Sequence, residues 1–150
     1  MQINSSYNNA YYTQKNFSAD QSIKKTENVK EDEKISTYKD VRDRVWEDYL
    51  NGKIDQDTFI TSNAAFFTAS LVEASKDGFQ GNPFGEMKRI QQERLKADTS
   101  SKVKAEIYKD IYIIDNYFDV LAPGVTQEEN QRINNKTKDF LFEILQDIKV

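Results

Sequence analysis

The sequence predicts an all-α protein: a compact bundle of about five helices behind a disordered or adaptable amino-terminal segment. Three observations carry this. From residue 37 onward apolar residues recur at helical spacing and nowhere alternate as in a half-buried strand. All five glycines and both prolines fall in three connectors, 51–54, 77–85 and 123–124, so the runs between them are uninterrupted. Residues 1–36 hold no glycine or proline and few apolar side chains, too few to offset the entropy of ordering them. The chain therefore divides into residues 1–36, a flexible segment and candidate export signal, and residues 37–150, a helical bundle domain.

The first helix is expected from Thr37 to Leu50. Tyr38, Val41, Val45 and Tyr49 lie on one stripe, with Trp46 and Leu50 beside it, and Asn51-Gly52 is a suitable stop. The second runs from Gln56 to Lys76 with Asp55 as N-cap. Thr58 to Val72 contains no charged residue, and apolar side chains surround most of the circumference. Such a helix is buried on several sides, and Ala64, Ala65 and Ala69 allow close neighbours. It is the expected central helix; the competing reading is a docking surface covered by a partner.

The third helix, Glu86 to Ala97, is weakly apolar through Met87, Ile90 and Leu95 and is expected on the surface. The fourth, Ser101 to Leu121, carries Val103, Ile107, Ile111, Ile114, Phe118 and Leu121 on one stripe, widened by Ile113, Tyr117 and Val120. The fifth starts at Thr126, where Thr126 and Glu129 have capping-box spacing. Its stripe is Ile133, Thr137, Phe140, Leu141, Ile144, Leu145 and Ile148, with Phe142 on the opposite side. The second and fourth helices should form the centre, with the first and fifth packed against them. Expected core residues are Val41, Val45, Phe67, Leu71, Ile107, Ile111, Ile114, Phe118, Phe140, Leu141 and Ile144.

The composition excludes several chemistries. The chain has no cysteine and no histidine. Disulfides and thiolate sites are ruled out, and the commonest general base and transition-metal ligand are missing. The net charge of −4, from 21 basic and 25 acidic side chains, argues against nucleic acid, which needs a concentrated basic surface. No window approaches the ~18 consecutive apolar residues of a membrane span. Met1-Gln2-Ile3-Asn4 lacks the basic start and apolar stretch of a general secretory leader.

Motifs with a mechanism also fail. Placing Gly52 at position six of a calcium loop puts Tyr49 and Thr58 where carboxylates are required. Gly78, Gly81 and Gly85 lack phosphate-loop spacing. The carboxylate pairs Glu47/Asp48, Asp55/Asp57 and Glu128/Glu129 are what 25 acidic residues supply by chance. Asp110, at the edge of the fourth helix's apolar arc, is expected as a rim residue paired with Arg42, Arg89 or Arg94. The functional alternative is a carboxylate in a pocket lined by Tyr108, Tyr112 or Tyr117, which would favour a carboxylate-based enzyme. We expect no catalytic, cofactor or metal site.

What remains is recognition of a protein partner. Candidate contacts are Tyr7, Tyr11 and Tyr12 in the amino-terminal segment, Phe79 and Phe84 around Pro83, and Phe142. Phe79 and Phe84 are expected to tuck their long loop against the core. The start Met1-Gln2-Ile3-Asn4-Ser5-Ser6-Tyr7-Asn8-Asn9, with the Asn/Lys/Ile/Tyr-rich usage and the small acidic body, resembles small flagella-secreted and flagella-coexpressed proteins of Campylobacter-type bacteria. That resemblance implies export through a flagellar type III route, with virulence-type action outside the cell or accessory binding within the machinery. It carries over no functional residues. The alternative is a cytoplasmic helical chaperone that covers an apolar helix of a client, which requires a continuous apolar groove.

Overall fold

Each helix begins on a side chain that accepts from its own first turn. A computed structural model describes residues 35–76, 81–120 and 123–148. Helix α1 spans Tyr38–Leu50, α2 Gln56–Ser75, α3 Pro83–Leu95, α4 Ser100–Tyr117 and α5 Gln127–Asp147. The caps are Thr37, Asp55, Asn82, Thr99 and Thr126. Each satisfies an N–H that the helix cannot satisfy itself.

At α1 the bonding is reciprocal. Thr37 Oγ1 accepts from the Asp40 N–H at 3.1 Å, and Asp40 accepts from the Thr37 N–H at 3.0 Å. At α5 only half of the predicted capping box forms. Thr126 accepts from the Glu129 N–H at 3.1 Å, while the Glu129 carboxylate takes bonds from Arg132 at 2.6 and 3.1 Å. Helix α1 stops where Gly52 adopts φ 74°, a conformation costly for any residue with a Cβ, and the Gly52 N–H bonds to the Tyr49 carbonyl at 3.1 Å.

Among the described residues the architecture is all-helical, with one isolated bridge, Ile35 to Ile148, outside the helices. Helix α2 packs against all four others, and α4 packs against α1, α2 and α5, so α2 and α4 form the centre as expected. The predicted Val41, Val45, Ile107, Ile111, Ile114, Phe140, Leu141 and Ile144 are all buried. Phe59 of α2 stacks on Tyr49, centroids 4.2 Å apart, and meets Trp46 at 5.4 Å, joining α1 to α2. No helix among the described residues is long and apolar enough to cross a membrane.

Several expectations need correction. Helix α3 begins at Pro83, three residues before the expected Glu86, because proline suits the first helical position and Asn82 caps it. It also ends at Leu95 rather than Ala97. Nor is it a surface helix: Met87, Ile90, Gln91 and Arg94 are buried, and Met87 and Ile90 pack with Ala74 and Leu71 of α2. Helix α4 ends at Tyr117, not Leu121; Phe118 is its half-buried C-cap and Val120 is 80% exposed. Phe67 is 37% exposed and Leu71 only partly buried, so the α2 face carrying them reaches solvent.

Ile35, assigned from sequence to the amino-terminal segment, is 7% exposed and paired with Ile148 at the end of α5. We expect Ile35→Ala to destabilise the bundle by about 2 kcal/mol, the low end for truncating a buried aliphatic side chain. The urea midpoint should fall at constant slope. An unchanged midpoint would show that this pairing contributes nothing.

Candidate functional site

The deepest polar group in the bundle is the Arg94 guanidinium. It comes from the last turn of α3, and its side chain is 2% exposed. Its Nε donates to Glu106 at 2.6 Å. One terminal nitrogen donates to the Phe66 carbonyl at 3.1 Å and the Ser70 hydroxyl at 3.2 Å. The other donates to Asp110 at 2.8 Å, the Glu106 carbonyl at 3.1 Å and the Tyr38 hydroxyl at 3.3 Å. The Tyr38 hydroxyl in turn donates to the second oxygen of Asp110. Four helices thus converge on one cation.

The uncharged stretch of α2 now has a reason. Arg42 from α1 donates to the Ser62 carbonyl at 3.5 Å and to Asn63, and lies 4.6 Å over the Phe66 ring. Arg94 lies 5.1 Å from the same ring and 5.0 Å from that of Tyr38. Phe66 therefore meets two cations, and α2 receives them with carbonyls and π-faces rather than carboxylates.

Burial places the Tyr38 hydroxyl far above its ordinary pKa, and the Asp110 charge pushes it the same way. Burial opposes the Arg94 cation, yet the facing oxygens of Tyr38, Asp110 and Glu106 overcome it and raise its pKa. The cluster is thus a neutral phenol holding a closed ion pair, with Asp110 only 1% exposed. Arg94 is one of the three partners predicted for Asp110, but the rim location is incorrect: α3 covers what looked from α4 alone like an edge. Tyr108, Tyr112 and Tyr117 do not line a pocket around it. They face solvent, 54%, 59% and 46% exposed.

The outward face of α4 and α5 is different in kind. Lys138 of α5 donates to Asp115 of α4 at 2.6 Å, and Asn130 and Asn134 donate to the Phe118 carbonyl at 2.8 and 2.9 Å. These contacts fix the two helices as antiparallel neighbours. Between them lies a cleft of about 90 Å³ lined by Ile114, Asp115, Asp119, Gln127, Asn130, Gln131, Asn134 and Lys138. Residues 108, 112, 115 and 119 share one α4 stripe, and 127, 131, 134, 138 and 142 share one α5 stripe. Tyr112 precedes Asp115 by three residues and Phe142 follows Lys138 by four. In an antiparallel pair both lie about one turn beyond the ion pair, on the same side. Tyr108, Tyr112 and the 43% exposed Phe142 therefore extend the cleft as an aromatic strip.

Of the sequence-predicted contacts, only Phe142 falls on this face. Phe84 is 64% exposed on the first turn of α3, not tucked under a loop, and α3 packs on α1 and α2. Phe79, Tyr7, Tyr11 and Tyr12 lie outside the described residues. Sequence reasoning assigned Tyr108 and Tyr112 to an interior pocket. Their spacing from Asp115 and Asp119, opposite Ile107, Ile111 and Ile114, was the signal for an outward stripe. Among the described residues, no group of three or more carboxylates converges as metal ligands would.

Two outcomes follow for the buried cluster. Asp110→Ala should cost about 3 kcal/mol or more in urea unfolding, because it strands a buried guanidinium. Tyr38→Phe should be weaker in a pH-dependent way. A group whose pKa is raised by folding stabilises below its unfolded value, about 10 for tyrosine, and loses that contribution as the pH rises. The stability gap between wild type and Tyr38→Phe should therefore be full at pH 8 and shrink above about 10. A constant gap into stronger alkali would contradict the assignment.

Comparison with known proteins returned nothing: no family model, no curated protein and no solved structure matches this chain.

Proposed function

We propose that the chain is a non-enzymatic recognition protein of a flagellar-type export system, with the amino-terminal segment as address and the α4/α5 face as contact. It acts as an exported factor or as an accessory protein of the machinery. The observation that carries the contact is the strip formed by Tyr108, Tyr112 and Phe142, exposed aromatic area on a face whose helices are locked from behind. Aromatic side chains with few rotatable bonds contribute strongly to interfaces at low entropic cost. The address rests on the resemblance of residues 1–9 to flagella-secreted proteins.

Two features support recognition over chemistry. The one carboxylate with a special environment, Asp110, is consumed by Arg94 and Tyr38 and enclosed by four helices. The cleft that does reach solvent is lined by amides, two carboxylates and a lysine, without a nucleophile held against a base. The same polar lining offers a poor seat for an apolar client helix, so we prefer the export-system reading to the cytoplasmic chaperone.

Fusing residues 1–36 to a reporter tests the address. Release into the medium from export-competent cells and not from export-null cells is the expected result. Retention in both, with the full chain also retained, would overturn the export reading.

A further inference from the structure

We propose that the α4/α5 cleft takes a basic peptide segment, with its Lys or Arg side chains lying on the rings of Tyr108, Tyr112 and Phe142 and reaching the Asp119 carboxylate. This rests on the recognition reading above and names the chemistry of the partner.

The charge at the cleft selects the occupant. Asp115 is engaged by Lys138 at 2.6 Å. Asp119, one turn further along the same stripe, lines the cleft and has no ion-pair partner among the described residues. Asp139, adjacent to Lys138 on α5, is likewise unpaired there and exposed. The carboxyl end of α4 also points at this end of the cleft, and a helix carries partial negative charge at that end. The nearest cation, Lys138, is already spent. The cleft is therefore electronegative at one end and aromatic at the other.

An acidic segment would meet Asp119 and Asp139 without compensation. A purely apolar segment would have to cover Asp119, Gln127, Gln131 and Asn134 with nothing to bond to them, which costs free energy. A segment bearing Lys or Arg meets both halves. Its cations pair with the free carboxylates, and its charged or aliphatic parts lie over the ring faces, where cations are attracted by the π-electrons. The amides that line the middle of the cleft offer donors and acceptors to a peptide backbone.

The test uses the full chain and three fluorescently labelled peptides of equal length: one rich in Lys and Arg, one with Glu at those positions, and one with Gln. Fluorescence anisotropy should show binding of the basic peptide alone, weakening as salt is raised. Tyr112→Ala and Asp119→Asn should each reduce that affinity about fivefold, whereas Gln92→Ala on α3 should leave it unchanged. Both altered side chains are exposed, so unchanged thermal unfolding of the variants excludes a folding defect.

Equal binding of the Gln peptide, lost on Tyr112→Ala, would overturn the basic-partner assignment while sustaining recognition through this face. Absence of binding by all three, or binding indifferent to both substitutions, would overturn the assignment and remove this face from the recognition reading. Concentration-dependent self-association that is abolished by Tyr112→Ala would replace the peptide with a second copy of the chain.

Discussion

Arg94 cannot be buried unless every one of its donors finds an acceptor, and no single helix carries enough of them. The acceptors come from Tyr38 of α1, Ser70 and the Phe66 carbonyl of α2, and Glu106 and Asp110 of α4. Misplacing any of these helices would strand a charge in the interior, at a cost of several kcal/mol. Apolar packing alone tolerates sliding of one helix past another, whereas a planar cation with five directed donors does not. The cluster therefore selects one arrangement among the several that a set of amphipathic helices would permit.

That selection bears on the outer surface. Helix α4 supplies Asp110 and Ile111 to the interior and Tyr108 and Tyr112 to the exterior. Fixing the rotation of α4 about its axis through Arg94 also fixes which way the two tyrosines point. Lys138, Asn130 and Asn134 then set α5 beside it in a single register. The aromatic strip is built from rigid elements, and little ordering entropy is left for binding to overcome.

Much of the fold was legible in the residues. The uncharged run of α2, the Asp55 and Thr126 caps and the stripes of α1, α4 and α5 are local signals, and the structure reproduces them. Errors arose where a local signal had two meanings. Gly78, Gly81, Gly85 and Pro83 read as one long connector, although Asn82-Pro83 is equally a helix start. Val120 and Leu121 continued an apolar stripe beyond the point at which α4 ends. The cluster itself was only half legible: Asp110 and Arg94 could be paired from sequence as one option of three, but their burial depends on α3 lying over α4. The rank of α3 was misread for the same reason. Its apolar content is low because part of what it buries is an arginine, and hydrophobic periodicity does not register a buried cation. The α4/α5 strip was hidden by the opposite error, since tyrosines near an apolar arc read as core until their neighbours are known.

The order of these contacts along the chain gives the bundle a direction. Tyr38 meets Arg94 across 56 positions and Asp110 across 72, whereas Arg94 and Asp110 are only 16 apart. A chain drawn out from its amino end gives up α1 first, and with it the phenol that shields the ion pair. The remaining pair is then hydrated while still bonded, so the largest electrostatic cost falls at the start of unravelling and not at its end. Drawn from the carboxyl end, the chain loses α5 first and keeps the cation fully enclosed until α4 itself is pulled away. The same molecule should thus resist an applied force differently from its two ends.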